Sequence, residues 1–151
     1  MKLVLMADLG LNAEFITWEK RLLNAVADAI NNEVADAVKE KLTESVQNRV
    51  YAAYTPANYN RRGGNGGLAD KENYHHTMAA SGNKIVLAVS NDTTGNPDRS
   101  IFITNIIETG AGYNWNGIVP ARPFMDEGLQ DGISNGDIEN ALAAAIKKRG
   151  F

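Results

Sequence analysis

The sequence predicts an α+β fold, in which a long N-terminal helix packs on a small antiparallel sheet and is followed by C-terminal helices. Residues 12–49 contain no proline or glycine and carry a helical apolar stripe. Residues 84–90 and 100–107 are short apolar runs that we expect to pair as strands across a polar turn. Residues 123–131 and 137–149 have the start and stop signals of two short helices, the first one interrupted by Gly132.

The apolar stripe of the long helix repeats mostly every fourth residue, so it turns slowly around the helix axis. At 1.5 Å per residue, this helix would be over about 50 Å long, which exceeds the size of a compact domain of 151 residues. We therefore expect the helix either to kink, most readily at Asn31-Asn32, or to project toward another subunit. The stripe consists of Phe15, Trp18, Leu22, Val26, Ile30, Val34, Val38, Leu42 and Val46.

Residues 1–151 show no composition change that would mark a domain boundary, so a single α+β domain is predicted. Residues 1–11 begin with a short apolar run and are predicted to form an arm or an edge strand that packs on a neighbour. Residues 55–82 are predicted to form a long flexible loop, because four of the five residues in Gly63–Gly67 are glycines. Long irregular segments within a domain are commonly functional.

The composition argues against several classes of protein. The chain contains no cysteine, which excludes disulfide frameworks and zinc–thiolate sites and suits a reducing cytoplasm. Its net charge of −3 is unlike that of a duplex-binding domain. No apolar run approaches the roughly 20 residues that span a bilayer, so no membrane partner is predicted.

No catalytic, metal or cofactor site is predicted. His75 and His76 are adjacent, so their side chains point to different sides of any regular element and do not share a ligand set. Gly64, Gly66 and Ala69 match the spacing of a dinucleotide-binding motif, but no strand precedes them. No candidate nucleophile has a base beside it. We therefore expect that the chain is not an enzyme.

Two loops rich in glycine and asparagine carry aromatic side chains. In the second loop, Tyr113, Trp115 and Ile118 either form a small satellite core or anchor an interface, because Tyr and Trp bury large areas at modest entropic cost. Together with a helix too long for its domain, these loops favour an assembly subunit. The candidate interface residues are Tyr54, Tyr59, Arg61, Arg62, Leu68, Tyr113, Trp115, Ile118, Arg122 and Phe124.

Five short motifs occur in a defined order along the chain. They are Tyr54-Thr55-Pro56, Tyr59-Asn60-Arg61-Arg62, Gly66-Gly67-Leu68-Ala69-Asp70-Lys71-Glu72-Asn73, Ile107-Glu108-Thr109-Gly110 and Ala121-Arg122-Pro123-Phe124-Met125. Their joint order resembles that of the tail-completion proteins of long-tailed bacteriophages, which are head–tail connection (neck, minor tail) proteins. The resemblance covers residues 13–149 in element order.

The resemblance implies a non-enzymatic virion subunit, made in the cytoplasm of the host bacterium and without a cofactor. Copies of it would form a ring, usually six-fold, between the tail tube and the head connector. The ring would contact the adjacent tail-tube, terminator and head-connector proteins, and DNA would pass through its lumen only as cargo. The loops Arg61–Asn73 and Tyr113–Phe124 would contact neighbouring subunits or rings. An acidic chain suits a lumen in which DNA slides, because strong phosphate neutralisation would hold the DNA.

Two alternatives stay open. Within the same class, a tail terminator or a head–tail adaptor shares the position and the ring form. In a different class, the chain is a small nucleic-acid-binding module that uses Arg61, Arg62 and the run Lys147-Lys148-Arg149. Steeply salt-dependent DNA binding distinguishes this second alternative from an assembly subunit.

Overall fold

The computed structural model describes residues 11–55, 60–81, 84–96, 99–112 and 120–151. The predicted α+β architecture is confirmed: a long N-terminal helix, an antiparallel hairpin and C-terminal helices follow one another along the chain. Residues 1–10, the predicted arm, lie outside the described residues, and Leu11 is the first residue of the long helix.

The long helix is continuous in sequence but contains two π-helical segments. The first of them contains Asn31-Asn32, where a kink was expected. The Asn32 amide there donates to the Asp28 backbone oxygen at 2.8 Å and to the Asp28 carboxylate at 3.0 Å. The weak point is therefore a π-helical turn and not a break. In order, the segments are α1 (Leu11–Ala29), a π-helix (Ile30–Val34), α2 (Ala35–Ser45) and a second π-helix (Val46–Tyr51).

The main sheet is a hairpin whose two strands are β1 (Tyr74–Ser81) and β2 (Lys84–Asn91). They pair antiparallel, with Tyr74 opposite Asn91 and His76 opposite Val89. The prediction that residues 84–90 pair with residues 100–107 was wrong. Their partner is β1, which lies within the predicted loop 55–82. The sequence of β1 contains a single β-branched residue, Thr77, so its own composition gave little strand signal.

Residues 100–107 also differ from the predicted strand. Only Arg99–Phe102 is a strand, β4, which pairs with β3 (Thr94–Asn96), and the chain then forms helix α3 (Ile103–Thr109). The isoleucines of this segment satisfied the strand pattern, but Ile103 and Ile107 are four residues apart and both pack on the same core cluster. Helical spacing therefore decides their structure.

Two further helices, α4 (Phe124–Ser134) and α5 (Asp137–Lys148), complete the described fold. The predicted interruption at Gly132 was wrong, because α4 continues through this residue. A Cβ at Gly132 would lie 3.1 Å from Cδ1 of Ile138 and 3.3 Å from Cγ of Lys41. The glycine thus serves close helix packing and does not end the helix.

The apolar core has two clusters along the long helix, and Met125 packs against both. The stripe of the long helix contributes to the core from Val34 to Val46, as predicted. Its first members, Phe15 and Trp18, are exposed. The first cluster contains Val46, Val50, Leu68, Ala69 and Phe124, and the second contains Val34, Val38, Leu42 and Tyr74.

Candidate assembly surfaces

The described part of the predicted flexible loop is held by hydrogen bonds made by its own motif residues. The Asp70 carboxylate accepts the backbone N–H groups of Gly66 and Glu72. A Cβ at Gly67 would lie 2.5 Å from the backbone oxygen of Gly63, so only glycine fits the turn. The Gly-Gly-Leu-Ala-Asp run is therefore a compact hydrogen-bonded turn before β1, and the flexibility of residues 60–73 stays a prediction.

A buried polar network joins this turn to the end of β2. Asn91 accepts the backbone N–H of Thr93 at 3.0 Å and the hydroxyl of Thr104 at 2.8 Å with its side-chain oxygen. Its amide nitrogen donates to the backbone oxygen of Leu68 at 3.3 Å, and the Tyr74 hydroxyl donates to the same oxygen at 2.9 Å. Burial raises the pKa of Tyr74, so its phenol stays a neutral donor.

The arginine of the predicted interface loop stacks on two tyrosines. The Arg61 guanidinium carbon lies 4.8 Å from the ring centroid of Tyr51 and 5.7 Å from that of Tyr54, and its Nη1 donates to the backbone oxygen of Tyr51 at 2.9 Å. Such cation–π contacts orient both partners. Arg62 donates to the backbone oxygen of Thr94. Tyr54 is exposed, and its role at an interface stays a prediction.

Two predicted interface residues lie in the core instead. Leu68 is buried, and Phe124 is completely buried in the same cluster. Leu68 follows the glycine turn and Phe124 begins α4, and both pack in the cluster that contains Val46 and Val50 of the long helix. Arg122 is half-buried, and its backbone N–H donates to the backbone oxygen of Ile107 at 2.9 Å. The other candidates, Tyr59, Tyr113, Trp115 and Ile118, lie outside the described residues.

The structure also contains an apolar groove that the sequence interpretation missed. Its volume is about 730 Å³, and it lies between the long helix, the inner face of β2 and the helices α4 and α5. The spacing of Met125, Leu129 and Ile133 on α4 was the available signal, because residues four apart share a helix face. The walls include Ile85, Leu87, Leu129, Ile133, Ile138 and Leu142.

Carboxylates border this groove. Glu108 of α3 accepts the backbone N–H groups of Met125 and Asp126, each at 3.1 Å, and so caps the start of α4. Asp126 and Glu139 also line the groove, and neither forms an ion pair with any residue of the described ranges. The lining of the groove is therefore mostly apolar and includes three carboxylates.

A second apolar surface lies at the start of the long helix. Every residue from 13 to 20 is exposed, so two helical turns extend beyond the packed part of the helix. Phe15, Trp18 and Leu23 are 60%, 48% and 57% exposed. The Trp18 ring contacts the rings of Phe15 and Phe151, each with centroids 6.2 Å apart. We call residues 13–23 the helix end.

Arg149 marks where the packed part of the long helix begins. Its guanidinium donates two hydrogen bonds to the Glu33 carboxylate, at 3.0 and 2.8 Å, and contacts Asp28 at 2.6 Å. These hydrogen bonds lower the pKa of Glu33 and raise that of Arg149. The last turn of α5 is thus fixed to the long helix, and the helix end lies N-terminal to this contact.

Among the described residues, no helix has the length and apolar content that a membrane-spanning segment needs. Within the described ranges, no three His, Cys, Asp or Glu side chains lie close enough together to hold a metal ion.

Comparison with known proteins gives one family match. The model of the YomN family matches residues 16–148, which is most of the chain and includes every described helix and strand after the first turn of the long helix. No curated protein and no solved structure matches.

Proposed function

This chain belongs to the YomN family, which is phage-derived, and we propose that it is a structural virion protein of a tailed phage. In this proposal it is the tail-completion or neck subunit. Six copies form a ring that joins the tail tube to the head connector around the DNA channel. Its partners are other copies of itself and the adjacent tail-tube, terminator and connector proteins. Its role is non-enzymatic, and DNA passes through the lumen as cargo.

The observation that carries the proposal is the exposed helix end. It presents Phe15, Ile16, Trp18 and Leu23 on two to three turns that stay largely exposed, although Phe151 contacts Trp18. Burying one such side chain stabilises a protein by about 1.5–3 kcal/mol, and exposed clusters of this kind mark interaction sites. A subunit that is completed by its neighbours explains this surface, as the length of the helix predicted.

The motifs on which the phage resemblance rests also support the proposal. Glu108 belongs to the fourth motif, and it caps the helix that follows the Arg-Pro-Phe of the fifth. The backbone of Ile107 likewise pairs with that of Arg122. The two motifs therefore form one structural unit in this chain, which supports interpreting them together.

The nucleic-acid-binding alternative receives less support, because two of its basic residues are engaged within the subunit. Arg149 is neutralised by Asp28 and Glu33, and Arg61 stacks on tyrosines. Counterion release on DNA requires cations that are free to contact phosphates. Arg62, Lys147 and Lys148 remain as exposed cations, in a chain with a net charge of −3.

The test is complementation of assembly in vitro. Cells infected with a phage whose gene for this protein is interrupted should yield separate heads and tails, and adding the purified chain should produce joined, infectious particles. Incubating the chain with isolated tails and with isolated heads identifies the end to which it binds. This distinguishes a completion protein from a terminator or an adaptor. Normal particles from the interrupted phage would contradict the proposal.

A further inference from the structure

We infer that Arg149 and Phe151 form a clasp that sets the direction of the helix end, and that the π-helical turn Ile30–Val34 is the hinge about which the helix end otherwise moves. This conformational device lies within one subunit and goes beyond the proposed ring. Its biological setting rests on the proposed function, because the direction of the helix end determines where a neighbouring subunit can bind.

The hinge is a point where the long helix departs from α-helical hydrogen bonding. The backbone N–H of Ala35 bonds to the oxygens of Ile30 and Asn32, which lie five and three residues earlier. The oxygen four residues earlier, that of Asn31, lies 3.0 Å from Nε2 of His76 on β1. Since a carbonyl oxygen only accepts, this ring nitrogen carries the proton and donates. Helices bend readily at π-helical turns, and such turns recur at functional sites.

Few contacts hold the helix on the N-terminal side of the hinge. Every residue from 13 to 21 is exposed, and the buried side chains that the structure describes in α1 are those of Ala25 and Ala29. Alanine buries little apolar area, so these two residues stabilise one direction of α1 only weakly. Apart from the adjoining hinge, α5 is the main element that packs on α1. The direction of the helix end therefore depends on the side chains that follow α5.

Arg149 connects α5 to both sides of the boundary between α1 and the hinge. It donates from Nε and Nη2 to the Asp28 carboxylate of α1, at 2.9 and 2.6 Å, and from Nη1 and Nη2 to Glu33 of the hinge. Nη1 also donates to the backbone oxygen of Ala145, so the guanidinium is held by its own helix. The other Asp28 oxygen accepts the amide of Asn32. A planar guanidinium that bonds two carboxylates at once fixes their relative position.

Phe151 provides a second contact, on the helix end itself. Its ring centroid lies 6.2 Å from that of Trp18, with the rings at 61°, and 5.8 Å from the guanidinium carbon of Arg21. Gly150 has a φ of +87°, and this left-handed turn brings the Phe151 backbone N–H to within 3.3 Å of the Ile146 oxygen. The turn thus directs the Phe151 ring back toward α1.

Two separated contacts are sufficient to define the direction of a rigid helix. Trp18 and Asp28 are ten residues apart in the continuous helix α1, which is about 15 Å along its axis. Phe151 contacts the first of these residues and Arg149 binds the second. Losing both contacts leaves α1 attached through the hinge and two buried alanines, so the helix end should then sample several directions.

Distances between spin labels test the clasp. The chain contains no cysteine, so the changes Glu14→Cys and Ala88→Cys, both at exposed positions, place one label on the helix end and one on the hairpin. Dilution with unlabelled chain restricts the signal to distances within one subunit. The clasp variants are Arg149→Gln, Phe151→Ala and both together. The matched control is Lys147→Gln, which removes the same charge from an exposed position in the last turn of α5.

Double electron–electron resonance should give one narrow distance distribution for the wild-type background and for Lys147→Gln. Each single clasp variant should broaden the distribution, and the double variant should widen it at least about twofold, because more orientations of the helix end are populated. Thermal melting checks that every variant is folded at the temperature of the measurement.

Hydrogen exchange locates the motion. In the double clasp variant, the backbone amides of residues 31–35 should exchange at least about threefold faster, because local opening of the hinge is no longer opposed by Arg149. The amides of α2, and those of α5 before residue 146, should exchange as in the wild type. Faster exchange throughout α5 would mean that this helix itself unfolds, and it would contradict a clasp.

Two further results would overturn the inference. A double variant with the wild-type distance distribution would show that other contacts hold the helix end. An equal broadening in Lys147→Gln would show that net charge, and not the contacts of Arg149, controls its direction. Either result leaves the phage role in place, because the labels report on a single subunit. A confirmed clasp in a chain that fails to restore joined particles would contradict the phage role alone.

Discussion

Gly128 of α4 lies directly against Ser45 of the long helix. A Cβ at residue 128 would be 2.7 Å from the Cβ of Ser45 and 3.4 Å from Cδ2 of Leu42. Gly132 lies one turn later, and a Cβ at this residue would be 3.3 Å from Cγ of Lys41 on the long helix. The two glycines give α4 a flat face that lets it approach the long helix closely. This approach positions Leu129 and Ile133 along the wall of the groove.

We expect Gly128→Ala to destabilise the chain. The added methyl meets the Cβ of Ser45, which is attached to the backbone and cannot turn aside, so the helices must separate. Overpacking of this kind costs about 1–3 kcal/mol, which exceeds the gain of up to about 1 kcal/mol in helix propensity. Chemical denaturation measures the difference. Adding Ser45→Gly should recover part of the loss, and a double variant as unstable as the single one would show that the contact is unimportant.

Gly67→Ala should disrupt the turn before β1. Its Cβ would lie 2.5 Å from the oxygen and 2.8 Å from the nitrogen of Gly63, and backbone atoms cannot yield without rearranging the turn. Gly64→Ala is the matched control, because a Cβ there meets nothing within 4 Å. Thermal melting should show a lower midpoint for Gly67→Ala and little change for Gly64→Ala. Equal midpoints would contradict the described turn.

Asn91→Ala should cost about 1–3 kcal/mol of stability, because it leaves the Thr93 N–H buried without its acceptor, whereas the Thr104 hydroxyl keeps the backbone oxygen of residue 91. Asn105→Ala removes a similar side chain from an exposed position next to Thr104 and should be close to neutral. Urea denaturation of both variants measures the comparison. A similar loss for both would mean that the buried network contributes little.

Glu33→Gln should change how stability depends on pH. The Arg149 guanidinium lowers the pKa of Glu33 below its ordinary value of 4.5, so the carboxylate stabilises the folded chain fully above that value. This contribution disappears as the pH falls through the lowered pKa. The difference in melting temperature between wild type and Glu33→Gln should therefore be largest near neutral pH and vanish in acid. Glu40→Gln, an exposed change of the same type on the same helix, is the control for the substitution itself.

The sequence predicted the elements whose local signals agree with their tertiary contacts. The stripe from Val34 to Val46 indicated a buried helix face, and Asn31-Asn32 indicated the irregular turn. The length of the helix indicated either a kink or a projecting end, and in the structure its start is exposed. These features depend on residues close in sequence, which is why periodicity and composition were sufficient to find them.

The errors arose where contacts between distant residues override local preference. Strand β1 has little β propensity of its own and forms because β2 pairs with it in register. Ile103 and Ile107 satisfy a strand pattern as well as a helical one, and packing of both on the first core cluster favours the helix. Gly132 looked like a helix stop because the close neighbour that requires it, Ile138, cannot be inferred from local sequence.

The candidate site was predicted only in part for the same reason. Tyr54 is exposed and Arg61 is half-buried, and the two stack on each other, while their role at an interface stays a prediction. Leu68 and Phe124, which belong to the third and fifth motifs, are core residues. The groove has walls from four elements far apart in sequence, so no single stretch of the chain could reveal it.

The central claim is that this chain is a subunit that assembles with itself into a ring. Electron microscopy of the purified wild-type chain, with native mass spectrometry of the same sample, tests it most directly. The account predicts closed rings with an open lumen and a single subunit number, six being the value that the phage resemblance implies. Monomers at every concentration, or open filaments without closed particles, would contradict it.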